Sequence, residues 1–194
     1  MRLLAIMAVL ALPACATTSL PEATSDGYAP VRRIVTASDA EGRSVVLHDG
    51  PTSNIVTLNG ARIERLWETG PLPVPLAVER DAGALAGNAY RPGFVGSSLY
   101  VAEVPPGSGL EDIPIHAQDS LDYIVILEGT VDLVLDTGER VTMREDDVLV
   151  QAGNLHSWVN ETEATVRLLV VVLTGMRAQP SEADDPPLAP QPPA

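Results

Sequence analysis

Two stretches of this chain carry the side chains that could do chemistry. The first runs from His116 through Gln118 to Asp122, and the second places His156 two residues before Trp158. Imidazole nitrogens and carboxylate oxygens bind first-row divalent metals at about 2.0–2.2 Å. Because alternate residues of a strand share one face, His116 and Gln118 would point the same way, with Asp122 beyond a slight bend. The spacing therefore predicts a metal site, which would use two of the 3 histidines in the chain.

A second interpretation of the same residues needs no metal. His116 and His156 would hydrogen-bond inside a polar pocket, with Asp122 holding one ring, and both interpretations stay open on the sequence alone. The third histidine, His48, stands beside Asp49-Gly50 at the end of a predicted strand and is interpreted as a turn residue. Trp158 should face the same side as His156, where it would either contact a ligand or fill the interior.

Strand signals dominate the sequence that must position these side chains. Short runs with period-two alternation recur about every 8–12 residues, and there is little sign of helix, which is typical of an antiparallel sandwich or barrel. Residues 70–97 are rich in proline and glycine and are predicted to form a long irregular loop, with one helical turn near 76–80. The predicted strands are 33–36, 44–48, 63–67, 98–104, 123–127, 130–135, 140–143, 148–151, 157–159 and 165–173. The fold class predicted is all-β.

The N-terminus resembles an export signal. Arg2 precedes an apolar run over residues 3–12, which is too short to span a bilayer. Residues 12–15, Leu-Pro-Ala-Cys, resemble the lipoprotein cleavage box of bacteria, in which the cysteine is lipidated. Cleavage after Ala16 would instead release a free protein, and a chance apolar start on a cytoplasmic protein is the remaining alternative. The expectation is a signal peptide over 1–15, periplasmic export and a membrane tether at Cys15.

Composition sets the other boundaries and excludes some partners. Residues 16–30 have the composition of a flexible linker, and 178–194 are rich in proline and acid, which predicts a disordered tail around a folded domain at 31–177. The formal net charge is -14, and all 12 basic residues are arginine, which argues against nucleic acid and against an anionic membrane surface as partners. Cys15 is the only cysteine, so no disulfide is expected.

The two histidine stretches resemble the motifs of the cupin superfamily, whose members are small jelly-roll barrels. The first cupin motif runs G-x5-H-x-H-x3-4-E-x6-G, and His116, Gln118, Asp122 and Gly129 fall on its H, H, E and final G. The second motif runs G-x5-P-x-G-x2-H-x3-N, and Gly153, His156 and Asn160 fall on its later G, its H and its N. The resemblance covers about residues 31–175, and the sequence around the motifs is similar to a bacterial single-domain cupin type. It implies a double-stranded β-helix barrel with an N-terminal hairpin.

The chain departs from these motifs at four positions. Gln118 replaces a histidine, Asp122 replaces glutamate, Leu110 stands at the opening glycine, and Gln151 stands at the proline. If Asp146 takes the place of the second motif's first glycine, that segment is one residue short. The resemblance implies a divalent ion (iron, manganese, nickel or zinc) held by His116, Gln118, Asp122 and His156, where Gln118 is a weak ligand or leaves a position open.

Three functions follow from the resemblance. The first is an exported cupin that binds a small organic ligand and a divalent metal, with a metal-dependent oxygenase, isomerase or decarboxylase among its possible activities. Trp158 and Gln151 are the predicted ligand-binding residues. The second is a metal-free binding or sensing module, and the third is an envelope structural protein. A homodimer through an edge strand is a further expectation.

Overall fold

The computed structural model describes residues 28–177, apart from residues 59, 77–79, 88–90 and 92. The predicted signal peptide, the tail at 178–194 and most of the linker and of the helical turn near 76–80 therefore lie outside the described residues. Eleven strands form the described part: β1 (Arg32–Ser38), β2 (Ser44–Pro51), β3 (Ile55–Leu58), β4 (Ala61–Thr69), β5 (Ser97–Val104), β6 (Ser120–Glu128), β7 (Thr130–Leu135), β8 (Arg140–Arg144), β9 (Val148–Ala152), β10 (His156–Val159) and β11 (Val166–Thr174). Within these ranges no helix is long and apolar enough to cross a membrane.

Two antiparallel sheets enclose the core. The larger has six strands in the order β3-β4-β5-β11-β6-β9, and the smaller has three in the order β10-β7-β8. Apolar side chains from the facing surfaces of both sheets form one buried cluster, which includes Tyr100, Ile126, Leu133, Trp158 and Val172. The prediction of an all-β jelly-roll barrel is confirmed.

A separate two-stranded hairpin, β1–β2, precedes the barrel as predicted. Its turn is set by Asp39, whose carboxylate accepts hydrogen bonds from the backbone N–H of Glu41 and Arg43. Arg33 connects the hairpin to the long loop through two 2.7 Å hydrogen bonds to Asp81. The prediction missed β3, because its four residues are too few to show an alternating pattern.

The inner face of the large sheet divides into a polar and an apolar part. Across β5, β11, β6 and β9, one row of register partners reads Ser98, Val172, Asp122 and Gln151. The next row inward reads Tyr100, Val170, Ile124 and Leu149. Since side chains alternate between the two faces of a strand, both rows point into the barrel. The barrel is therefore polar at one end of this sheet and apolar further in.

The outer face of the same sheet carries a group of buried charges. Arg62 Nη1 donates to Glu64 Oε1 at 2.5 Å and to Glu103 Oε1 at 2.6 Å. Glu64 and Glu103 are 0% and 4% exposed. The N-terminal segment covers the group: the backbone N–H of Val31 donates to Glu64 Oε2 at 2.7 Å, and the Tyr28 ring lies 4.4 Å from the Arg167 guanidinium carbon. Tyr28, which precedes the predicted boundary at residue 31, thus contacts the barrel.

Candidate functional site

His116 and His156 come together through their backbones. The amide N–H of each residue donates to the carbonyl oxygen of the other at 2.9 Å, which forms an isolated antiparallel bridge. Gly153 lies in the turn before β10, three residues ahead of His156, and has a φ of +66°. A Cβ on Gly153 would lie 2.8 Å from the Gln118 carbonyl oxygen, so glycine is required for the two chain segments to approach. The pairing brings the imidazole centroids to 4.4 Å.

The two rings are held by the same kind of hydrogen bond. His116 Nδ1 lies 2.9 Å from the carbonyl oxygen of Pro114, and His156 Nδ1 lies 3.0 Å from that of Asn154. A carbonyl oxygen only accepts hydrogen bonds, so each Nδ1 carries the proton and each neutral ring keeps its lone pair on Nε2. Within the described residues no hydrogen-bond partner contacts either Nε2. The backbone thereby fixes two imidazoles with a free basic nitrogen each, the arrangement that orients metal ligands and catalytic bases alike.

A cavity of about 360 Å³ opens beside the imidazole pair. This volume is within the roughly 300–1,000 Å³ range of small-molecule sites. Both imidazoles, Asp122 and Trp158 line the cavity, and the Trp158 ring meets that of His156 edge-on at 6.3 Å. Apolar side chains form the remaining wall, among them Leu58, Ile63, Ala102, Ile124, Leu168 and Val170. No arginine lines the cavity in the described part of the chain, so an anionic ligand would have no guanidinium to pair with there.

Asp122 and His156 both carry perturbed ionisation. Burial raises the pKa of the Asp122 carboxyl, while the His116 ring and the Ser120 hydroxyl, which is near but outside hydrogen-bond geometry, act in the opposite direction. Burial also lowers the pKa of the His156 imidazole; the Asn154 carbonyl opposes this and the His116 ring adds to it. Both shifts favour the neutral form of the group, as expected in an apolar cavity.

Three neighbouring side chains on the inner face, Ser120, Asp122 and Gln151, form what we call the polar layer. They are 6%, 7% and 3% exposed, and Asp122 and Gln151 are register partners on β6 and β9. Ser120 Oγ, Asp122 Oδ1 and both amide atoms of Gln151 have no hydrogen-bond partner among the described residues. A buried polar atom without a partner costs roughly 1–3 kcal/mol, so such a cluster requires an explanation.

The comparisons with known proteins agree with this architecture. The family model of the cupin domain matches residues 100–172. The chain is 34% identical over 138 residues to the cupin-domain-containing oxidoreductase srdD of Neurospora crassa, covering 70% of this chain and 69% of that protein. It is 32% identical over 158 residues to the phomopsin biosynthesis cluster protein C' of Diaporthe leptostromiformis, covering 78% and 81%. This chain belongs to the cupin family.

A solved cupin structure is also similar to this chain. The cupin domain of Cnp3 from Schizosaccharomyces pombe matches with a TM-score of 0.47 and 16% identity, over 76% of this chain and 89% of that chain. The two curated relatives named above come from fungi, so they leave the resemblance to a bacterial type and the lipoprotein-like N-terminus as predictions.

The structure places five of the six predicted barrel residues around one interior and leaves one out. His116, Asp122, His156 and Trp158 line the cupin cavity, and Gln151 lies beside Asp122 in the polar layer. Gln118 does not line this cavity and contributes instead to a different depression, with Asp119 and Arg177. The reason is local: β6 begins only at Ser120, so the period-two rule does not extend back from Asp122 to Gln118.

A divalent ion, which the cupin resemblance implies, fits these residues only in part. The two Nε2 lone pairs and the orphaned Asp122 oxygen are suitable donors. However, no group of three or more His, Cys, Asp or Glu side chains stands close enough to hold an ion in the part of the chain that the structure describes. The four-ligand set is therefore not assembled, and metal binding stays a prediction.

One departure from the cupin motifs and one matched position have structural explanations. Asp146, at the position of a motif glycine, adopts φ of +70°, a conformation that aspartate tolerates better than most residues. The turn is supported by Asp147 Oδ2, which accepts a hydrogen bond from the backbone N–H of Arg144 at 2.8 Å. Asn160, which matches the motif, donates through Nδ2 to the carbonyl oxygens of Val104 and Pro105 at 3.0 and 2.9 Å. It connects β10 to the end of β5 and is structural.

Leu58, which lines the cavity, and Ser120, which belongs to the polar layer and to the depression that contains Gln118, are residues that the sequence did not reveal. Leu58 is on the short strand β3 and closes one side of the cavity. Ser120 is the first residue of β6, where a period-two count starting at Asp122 would have found it.

Proposed function

We propose that this cupin is an enzyme that binds a small organic molecule in the barrel cavity and transfers protons to and from it through the imidazole pair. One observation carries the proposal: both rings are held through Nδ1, so that two basic Nε2 atoms belong to residues lining a largely apolar cavity. The lowered pKa of His156 keeps that ring in its basic form at neutral pH. The relatives from biosynthesis clusters support an enzyme over a structural protein.

In this site the residues have separate tasks. Trp158 and the aliphatic wall bind the apolar body of the ligand and exclude water. His156, which is buried, accepts a proton from the ligand at Nε2, while His116, which is exposed, exchanges protons with solvent. Burial raises the pKa of the Asp122 carboxyl, so its protonated form, which can donate a hydrogen bond to a ligand oxygen, persists to higher pH than in an ordinary aspartate.

The second candidate is a metal-dependent oxidoreductase, and the names of relatives such as srdD favour it. Oxidation requires an electron acceptor that these side chains do not supply. A divalent ion held by His116, His156 and Asp122 would supply Lewis-acid or redox chemistry when bound. The free Nε2 atoms support this candidate, whereas the described residues contain no group of three His, Cys, Asp or Glu side chains close enough to hold an ion.

Solvent exchange of an acidic C–H bond tests the proton-transfer function. We expect the full-length protein to accelerate deuterium incorporation at the α-carbon of 1-indanone in D₂O, followed by proton NMR. His156→Ala should lose at least about 100-fold of the acceleration, the usual contribution of a general base. No exchange above the buffer rate, or an unchanged rate in His156→Ala, would contradict the proposal.

The same preparations provide the control and the metal measurement. The control is His48→Ala, which removes the histidine of the hairpin. Among the described residues, the hydrogen-bond partner of His48 Nε2 is the Gly50 carbonyl oxygen at 3.3 Å. This variant should catalyse deuterium exchange as fast as the parent. Metal content is measured on protein purified without chelator. A stoichiometric ion that disappears in His156→Ala, together with exchange that requires that ion, would replace the first candidate by the second.

A further inference from the structure

The cavity described above has a composition that restricts its ligand. Its wall is apolar apart from the imidazole pair and Asp122, and no arginine faces it among the described residues. Arginine is the only basic side chain that this protein has besides histidine, and the described cavity contains none to pair with an anion. A carboxylate or phosphate would lose its hydration in this cavity without an arginine to pair with, which is unfavourable because of desolvation.

The polar layer contains buried hydrogen-bonding groups that a ligand could satisfy. Gln151 is 3% exposed and neither its Nε2 nor its Oε1 has a partner in the described chain. Asp122, directly across the ladder with side chains about 4.5–5.5 Å apart at Cβ, also has an unpartnered oxygen. These two neighbours do not satisfy each other, although both are buried and both face the interior. They present at least one donor and two acceptors to the same small volume.

We propose that the site selects an uncharged, largely apolar molecule with one hydroxyl group, or a similar group that both donates and accepts hydrogen bonds, and that Gln151 binds this group beside Asp122. The inference rests on the proposed function, because it names the substrate class of the same cavity. An alcohol satisfies the layer in both directions: its O–H donates to Gln151 Oε1 or Asp122, and its oxygen accepts from Gln151 Nε2. The apolar body then extends along the wall towards Trp158.

Binding of three small probes tests the proposal. The chain has 2 tryptophans, so in a full-length Trp67→Phe parent the fluorescence reports on Trp158 in the cavity wall. Cyclohexylmethanol and ethylcyclohexane have the same shape and differ in one hydroxyl group, while cyclohexanecarboxylate adds a charge. We expect the alcohol and the hydrocarbon to bind and the carboxylate to bind at least about 100-fold more weakly than the alcohol.

The decisive variant is Gln151→Leu, which keeps the approximate volume and removes the amide. It should weaken cyclohexylmethanol about tenfold, as expected for one neutral hydrogen bond, and leave ethylcyclohexane within about twofold. Gln118→Leu is the matched control, since the same substitution outside the cavity should change neither affinity. If Gln151→Leu fails to fold, Ser120→Ala removes one unpartnered oxygen of the layer and should weaken the alcohol selectively by a smaller factor.

The outcomes separate this inference from the proposed function. Equal weakening of alcohol and hydrocarbon in Gln151→Leu, or an alcohol affinity that does not change, would show that water alone fills the polar layer, while the ligand cavity itself stands. Carboxylate binding as tight as alcohol binding would overturn the selection of uncharged molecules. If neither neutral probe binds the parent, the cavity is not a ligand site and both proposals are wrong.

Discussion

Carboxylates are buried on both faces of the six-stranded sheet, but their surroundings differ. On the outer face, Glu64 and Glu103 are bridged by Arg62, and Glu64 also accepts a backbone hydrogen bond. On the inner face, Asp122 is equally buried, yet one of its oxygens has no partner among the described residues, and no arginine lines its cavity.

The difference distinguishes a cluster whose hydrogen bonds are satisfied within the described chain from one whose hydrogen bonds are not. The outer carboxylates have hydrogen bonds from within the chain, and the cluster fixes the N-terminal segment to the barrel. The inner carboxylate leaves its hydrogen-bonding capacity unused, as do its neighbours Ser120 and Gln151. Proteins retain such an unfavourable arrangement where a ligand provides the missing partners. Burial of a charge is therefore common to both clusters, and only the absence of a partner separates the inner one, on which our proposal rests.

Removing the arginine of the outer cluster should have the largest effect. Arg62→Met leaves two buried carboxylates without their bridging cation, which is expected to lower the free energy of unfolding by about 3–5 kcal/mol. Urea unfolding followed by circular dichroism measures this loss. Replacing Glu64 and Glu103 by leucine in the same protein should recover much of the stability, because no charge is then left buried.

An exposed ion pair provides the control for this experiment. Arg140 contacts Asp132 and Glu161 on the surface of the small sheet, and Arg140→Met should change the unfolding midpoint little. If Arg62→Met were as stable as the control, the outer cluster would not be a structural element and the comparison of the two faces would fail.

Replacing the inner aspartate should have the opposite sign. Asp122→Leu removes an unpartnered carboxyl and has the cavity beside it to accept the larger side chain, so we expect a gain of about 1–2 kcal/mol in the free energy of unfolding. Proton exchange of the 1-indanone probe should fall at the same time. Asp132→Leu, which removes a carboxylate that accepts a hydrogen bond from Thr142 at 2.7 Å, should give no gain. A destabilised Asp122→Leu protein would show that the carboxyl supports the fold.

The pH dependence of the stability that Asp81 provides gives the smallest and most specific effect. The Arg33 guanidinium holds the pKa of Asp81 well below its usual range, although burial opposes this. A lowered pKa stabilises the folded state at pH values above about 4, near the pKa of an unfolded aspartate, and the contribution is lost as pH falls further. The difference in urea midpoint between the parent and Asp81→Asn should therefore be constant near neutral pH and shrink below about pH 4. A difference that does not vary with pH would contradict the ion pair.

Local patterns were sufficient to predict every strand except β3, together with the imidazole and carboxyl side chains that line the candidate cavity. Alternation over residues 98–104 located β5, and the apolar run at 123–127 located β6. The motif spacing predicted that Asp122 points into the barrel. The motif spacing placed His116 and His156 on adjacent chain segments. The prediction was wrong for Gln118, because it assumed that the strand already begins at His116, whereas the chain makes only a single bridge there.

The sequence by itself determined the all-β fold and supplied the candidate residues for its chemistry, since period-two alternation and turn glycines act over a few neighbouring positions. Only the tertiary structure decided which of these residues meet. The backbone bridge between His116 and His156, the facing of Asp122 and Gln151, and the pairing of Arg62 with Glu103 all depend on strand register between segments far apart in sequence. Register is fixed by the packing of the whole barrel, and no local pattern encodes it.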